Sequence, residues 1–217
     1  MAGVIPPEAR ADTGVFLSRL LRLDKGAVVR MVPGPLHAAL WAHLPFGVLV
    51  VRGLPPIGGR DVTVRAAELL DALRGDGVLP AARDHDWRWL LPPSTGRKVE
   101  EIPAAEVHRV AAAAAETART ALDEGVGGRA VGSRRVRDAL LDHVPIVVET
   151  ADGRVDVPQR LVQAVIRMNF VGGPDGPPVG VRRAGPWVGL VGGYGAGWYR
   201  PIGESLNLQV SPYRPNG

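Results

Sequence analysis

The sequence predicts an α+β protein of mixed helices and mostly antiparallel hairpins, arranged in two lobes that meet near residue 102. Three features of the chain carry this expectation. Pro103 opens a run in which Val107, Val110, Ala111, Ala114, Ala118 and Ala121 recur at helical spacing. Asp152-Gly153, between IVVET and RVDV, favours the type I′ turn whose twist matches that of paired strands. Residues 47–54, GVLVVRGL, are a continuous aliphatic run of the kind that fills a central strand.

Residues 1–12, with Pro6, Pro7 and three charges, read as a flexible arm. Asp12 or Thr13 then caps a short amphipathic helix with Phe16, Leu17, Leu20 and Leu21 on one face, ending around residues 24–26. Residues 27–32 suit a strand, and residues 36–43 a short helix. Thr63 is placed to cap a helix reaching about residue 74, with Leu69, Leu70 and Leu73 inward and Gly75 and Gly77 as its stop. Residues 87–91 and 97–102 flank the turn-forming PPST as a hairpin, which completes an N-terminal lobe of residues 13–102.

The C-terminal lobe, residues 103–217, starts with the alanine-striped helix, which should stop at Gly125. Ser133 caps a further helix through about residue 143, and Pro145 ends it before the Asp152-Gly153 hairpin. Pro158 opens a helix with Leu161, Val162, Val165 and Ile166 inward. Beyond the loop GGPDGPP, residues 179–183 and 186–191 form a second hairpin. Residues 204–210 read equally as a strand or a tail, and no internal repeat is evident.

Composition narrows the function classes. The 217 residues are 46% hydrophobic and 22% charged, the proportions of a folded globular chain. Cysteine is absent, which excludes disulfides, thiolate catalysis, thiolate-bound zinc and iron–sulfur clusters. The first fifteen residues have no apolar core of signal-peptide length, so the cytoplasm is the expected compartment. Residues 31–51 contain no Asp, Glu, Lys or Arg, but Pro33, Gly34, Pro35, Pro45 and Gly47 would break a spanning helix, and no membrane partner is expected. The net charge of +4 comes almost wholly from arginine, with Lys25 and Lys98 the two lysines; codon bias in a genome rich in G and C supplies such arginine, so charge alone names no partner.

The strongest local misfit is at Ser133. Arg134, Arg135 and Arg137 crowd the first turn of the helix it caps, where partial positive charge already resides, an arrangement that invites an anionic neighbour. Ser133, Arg134, Arg135 and Arg137 are therefore the candidate anion-binding or nucleic-acid-binding residues. A solvated helix end with an Arg134–Asp138 pair is the competing reading. The preceding GGRAVGSR resembles a phosphate loop but lacks the lysine that reaches terminal phosphates. Helix, turn, arginine-led helix and hairpin follow the order of a winged helix, so a winged-helix DNA-binding protein is the first alternative. The nine-residue connection over residues 125–133 is long for that motif. An enzyme acting on a phosphorylated small molecule at the same helix end is the second alternative.

Other constellations say less. Arg160, Gln163 and Arg167 lie opposite the apolar face of their helix and suit a solvated face. The run WVGLVGGYGAGWY is uncharged and aromatic, and its Trp187, Tyr194, Trp198 and Tyr199 are candidate interface residues of a homodimer, with ordinary core packing as the competing use. No G-x-S-x-G occurs, the five histidines make no HxH or HxxxH pair, and Asp84-His85-Asp86 are adjacent in a loop, which rarely brings three groups onto one metal. Neither a metal nor another cofactor is expected.

The stretches TGVFLSRLLRLDKGAVVRM, DHVPIVVE, VPQRLVQAVIRM and WVGLVGGYGAGWYR together resemble an uncharacterised actinobacterial protein family, which implies lineage and compartment without implying a reaction. From the residues, the expected role is that of a non-enzymatic cytoplasmic binding or interaction protein with an anion-binding helix end. Protein purified without an affinity tag should carry no stoichiometric zinc, iron or copper. Elemental analysis checks this, and one equivalent of any of the three would overturn it.

Overall fold

Alternation between buried and accessible positions organises the chain into one large antiparallel sheet with helices on one face. The structure, a computed structural model, describes residues 4–94, 96–123, 133–151 and 153–201. Helix α1 (Pro7–Leu23) starts earlier than the Asp12–Thr13 cap anticipated, because Pro7 fits a first helical turn, where its missing N–H is not needed. Thr13 lies inside the helix, fully buried, and its hydroxyl donates to the Ala9 carbonyl at 2.7 Å.

Strands β1 (Val28–Val32), β2 (Ala38–His43) and β3 (Leu49–Leu54) form a meander. The sequence suggested a helix at β2; the structure instead buries Ala38, Leu40 and Ala42 on one side and half-exposes Ala39, Trp41 and His43 on the other. Alanine fits either period, so the pattern was ambiguous until a partner strand was present. Thr63, expected as a helix cap, lies within β4 (Val62–Arg65), and α2 (Ala66–Ala72) begins only after it. Residues 87–91 do not pair with β5 (Arg97–Ile102), which instead joins the strand Val179–Ala184. The tryptophans of that segment gain more by covering apolar surface on the sheet than a two-stranded hairpin would provide.

Helices α3 (Ala104–Asp123) and α4 (Ser133–Asp142) and the hairpin of β6 (Ile146–Thr150) with β7 (Gly153–Val157) follow as the spacing predicted. Helix α5 (Gln159–Arg167) then leads into β8 (Val179–Ala184), β9 (Trp187–Gly192) and β10 (Gly195–Tyr199). The anticipated segment at 204–210 is outside the described residues.

The eight-stranded sheet has the order β4-β1-β2-β3-β10-β9-β8-β5, with every neighbour antiparallel. This order is palindromic about the β3–β10 seam. On one side α1 enters a three-strand meander and β4 takes the edge before α2; on the other α5 enters a three-strand meander and β5 takes the edge before α3. The sequence shows no repeat, but the structure therefore contains two halves built alike.

Across the seam, Val50 lies opposite Gly197 on the helical face, while Leu49 lies opposite Trp198 on the other face. Gly197 allows α5 close approach: a Cβ there would stand 3.0 Å from Leu161 and 3.2 Å from Val165. Beneath the helices, Val29, Met31, Leu40, Val50, Val64, Val181 and Leu190 join Phe16, Leu17, Leu20, Leu161 and Val162 in one core.

All five tryptophans of the chain gather on the opposite face. Trp41, Trp187 and Trp198 rise from strands, and Trp87 and Trp89 descend from a strap formed by residues 80–91. Trp89 stacks on His43 with ring centroids 4.3 Å apart, and Trp87 meets Trp89 edge-on at 5.2 Å. The Trp87 indole donates to the Trp89 carbonyl at 2.6 Å. Gly189 makes room for Trp198, whose ring would lie 2.7 Å from a Cβ at that position.

Two outcomes follow from this packing. Gly189→Ala should destabilise the fold by about 1–3 kcal/mol, because a rigid indole must move; a lower denaturant midpoint at unchanged slope is the measurement. Burial beneath the strap pushes the His43 pKa below its ordinary value, with Asp24 opposing in part. The unfolded chain then binds the proton more readily, so this contribution to stability is intact above pH ~6.5 and is lost as pH falls through the folded-state pKa. Chemical denaturation from pH 7.5 to 5 should show that loss in wild type and a flatter profile in His43→Gln.

Candidate functional site

Along α1, Glu8, Asp12, Val15, Arg19 and Arg22 fall at helical spacing on one stripe, acidic at the amino end and basic at the carboxyl end, as the helix dipole favours. In the acidic part Asp12 is engaged in structure. Asp12 pairs with Arg52 of β3 at 2.7 Å, and Arg52 also donates to the Tyr194 carbonyl at 3.2 Å, so the two halves and α1 are tied together at the seam. The basic part is free of such ties. Phe16 stacks on Phe170 at 6.2 Å and 9°, which brings the later half of α1 against the end of α5.

At that junction the Arg19 guanidinium donates to the Arg167 carbonyl at 3.4 Å, satisfying a group that the end of α5 leaves unpaired. Arg22 is exposed one turn further along α1, Lys25 is exposed just beyond it, and the Arg167 side chain meets only Gln163, at 3.3 Å. Among the described residues none of these four cations has a carboxylate within ion-pairing distance. The helical face thus concentrates positive charge where the two halves meet.

On the opposite side of the molecule several cations are paired with carboxylates. A cavity of about 320 Å³ between the strap and one end of the sheet is lined by Asp24, His43, Arg65, Arg83, Asp86 and Trp89. Asp24 accepts from the Gly26 amide at 2.8 Å and Asp86 pairs with Arg83 at 2.8 Å. Arg30 grips both oxygens of Asp61, at 2.8 and 2.7 Å, and lies over Trp87 at 5.8 Å. Its charge is held on by that hydrogen-bonded carboxylate, against a smaller opposing effect of burial. Arg30, Arg60, Arg65 and Arg83 around the strap and cavity are thus each within ion-pairing distance of a carboxylate, Asp61, Asp84, Glu68 and Asp86 respectively.

Ser133 opens α4 as expected, whereas the side chains of Ser133, Arg134, Arg135 and Arg137 lie outside the described residues. The four aromatic candidates are not one patch. Trp187 and Trp198 are buried in the tryptophan layer, 9% and 8% exposed; Tyr194 sits on the β9–β10 turn; Tyr199 lies under the Arg160 guanidinium, 5.0 Å away. Of the other basic stripe, Arg160 is engaged with the Phe46 carbonyl at 2.9 Å and with Asp142, while Arg167 joins the basic junction. Arg19 and Arg22 were not singled out from the sequence. Their three-residue spacing was legible, but their convergence with Arg167 depends on the Phe16–Phe170 contact.

Two family models match the chain, each described as a domain of unknown function: DUF8010 over residues 4–89 and DUF8185 over residues 91–204. A search of curated proteins finds no match. Among solved structures, the DNA polymerase beta subunit of Streptococcus pyogenes superposes with TM-score 0.55 at 12% identity over 92% of this chain and 64% of its own. The DNA polymerase III beta subunit of Thermotoga maritima gives 0.55 at 10% over the same shares. The beta sliding clamp of Caulobacter crescentus gives 0.55 at 12%, over 88% of this chain and 62% of its own. The chain thus spans less than two thirds of the length of these structures.

That likeness corrects the function expected from the sequence. The interaction protein, the winged helix and the phosphate-processing enzyme all placed the function at the helix end opened by Ser133. In the structure α4 packs on both α3 and α5, and the β6–β7 hairpin packs on β5 and β9, so these elements are parts of a clamp-type fold. No helix among the described residues is long and apolar enough to cross a membrane, and the charge-free residues 31–51 form the β1–β2–β3 meander. With one family model covering more than half of its length, the chain belongs to the family of the domain of unknown function DUF8185, in a fold shared with DNA polymerase sliding clamps.

Proposed function

We propose that this protein is a clamp-like DNA-associated protein that holds duplex DNA by its phosphates and does not read base sequence. The observation that carries the proposal is the likeness of its fold, over about nine tenths of the chain, to structures named as DNA polymerase beta subunits and sliding clamps. The basic junction supports it: Arg19, Arg22 and Arg167 are cations without carboxylate partners among the described residues, on a helical face where a phosphate backbone can approach. Sequence-independent contact suits arginines presented on a broad helical surface, where they meet phosphates and not base edges. Work on DNA would place the protein in the cytoplasm.

Affinity for a short duplex of arbitrary sequence should fall with salt, with a log–log slope of about −3 if three phosphates are contacted. Arg19→Glu, Arg22→Glu and Arg167→Glu together should weaken binding at least tenfold at low salt and flatten that slope, with circular dichroism unchanged, because all three positions are solvent-accessible. Wild type that fails to bind duplex DNA at low salt would sink the proposal. A triple variant that binds as wild type does would remove the junction from it.

A further inference from the structure

Edge strands leave unpaired main-chain donors and acceptors that a second chain can use. In the eight-stranded sheet the edges are β4 and β5. Strand β4 pairs with β1 on one side, so the main-chain groups of Thr63 directed away from β1 are those an added strand would take. Both are already occupied by the strap: the Thr63 amide donates to Asp84 Oδ1 at 2.7 Å, and the Thr63 carbonyl accepts from the Arg83 amide at 2.7 Å.

The strap holds this position firmly. Asp84 is also bound by Arg60 at 2.6 Å, and the Thr63 amide and Arg60 keep its carboxyl below the usual carboxylate range. Arg83 is fixed through Asp86, and Trp89 and Trp87 root the following turn on His43 and beneath Arg30. Strand β5 is guarded by other means, with exposed Lys98, Glu100 and Glu101 and with the Glu101 amide bonded to the Glu100 carboxylate at 2.8 Å. Charge on a strand edge opposes strand addition.

We propose that residues 80–91 are an edge guard: the strap occupies the place of a ninth strand at β4 and prevents a second copy of this chain from extending the sheet there. The guard is independent of the DNA reading, since its contacts share no residue with the basic junction. It has a further consequence for architecture, because assembly through strand addition at β4 first requires the strap to leave.

The full-length protein with Asp84→Ala tests this. Hydrogen exchange at the Thr63 amide should quicken by roughly tenfold to a hundredfold, the effect of losing one hydrogen bond to a charged acceptor. Val64, whose main chain faces β1, should be unchanged. Sedimentation velocity should show the variant as larger than wild type at equal concentration, increasingly so as concentration rises, and Asp84→Asn, which keeps an acceptor oxygen, should restore both readouts toward wild type. Adding Trp89→Ala should enlarge the effect. Unchanged Thr63 exchange in folded Asp84→Ala would overturn the guard, and so would faster exchange with no increase in size in either variant. If Asp84→Ala does not fold, Arg60→Ala, which loosens Asp84 while retaining it, takes its place with the same two outcomes at smaller amplitude.

Discussion

The structure depends on how closely strand β10 can be approached from both sides. It completes the seam with β3, it carries α5 on one face, and it presents Trp198 to the tryptophan layer on the other. Gly197 lets α5 settle against the sheet, and Gly189 on the neighbouring strand accepts the face of Trp198. Larger residues at those two positions would separate layers that are in van der Waals contact, and the seam between the halves would lose its packing on both sides.

With the seam in place, the two faces take different roles. The helical face holds the larger core, and its outer surface is free to present charge; there Asp12 is paired with Arg52, and Arg19, Arg22 and Arg167 gather near the junction of the halves with no carboxylate partner among the described residues. Among the described residues the other face carries no α-helix, only a single 3-10 turn over Asp84–Asp86 within the strap. A strap of a dozen residues covers part of it with two tryptophans, and ion pairs of Arg30 with Asp61, Arg60 with Asp84 and Arg83 with Asp86 surround that strap. Exposed pairs of this kind add little stability, but they fix the position of a segment that has no regular pairing of its own.

Most helical elements and two hairpins were readable from the sequence because their signals are local. Pro103 and the alanine stripe, Ser133, Asp152-Gly153 and Pro158 each mark a boundary through backbone geometry that acts within a few residues. Residues 36–43, Thr63 and residues 87–91 were read differently from what formed. In each case a tertiary partner decided: β1 and β3 for Ala38–His43, β1 for Val62–Arg65, and the outer sheet face for Trp87 and Trp89. The site followed the same division. Arg167 was visible as part of a basic stripe, whereas its neighbours Arg19 and Arg22 belong to an element far away in sequence.

By itself, then, the sequence determined an α+β fold without cysteine chemistry, the positions of most helices, and the pairing of Ile146–Thr150 with Gly153–Val157 and of β8 with β9. Only the tertiary structure decided that β3 meets β10, that the two halves are alike, that five dispersed tryptophans share one layer, and that Arg19 reaches the end of α5. Helix caps and turns are set by bonds between neighbours in the chain, while strand partners and charge clusters are set by which surfaces bury the most apolar area together, a property of the whole chain.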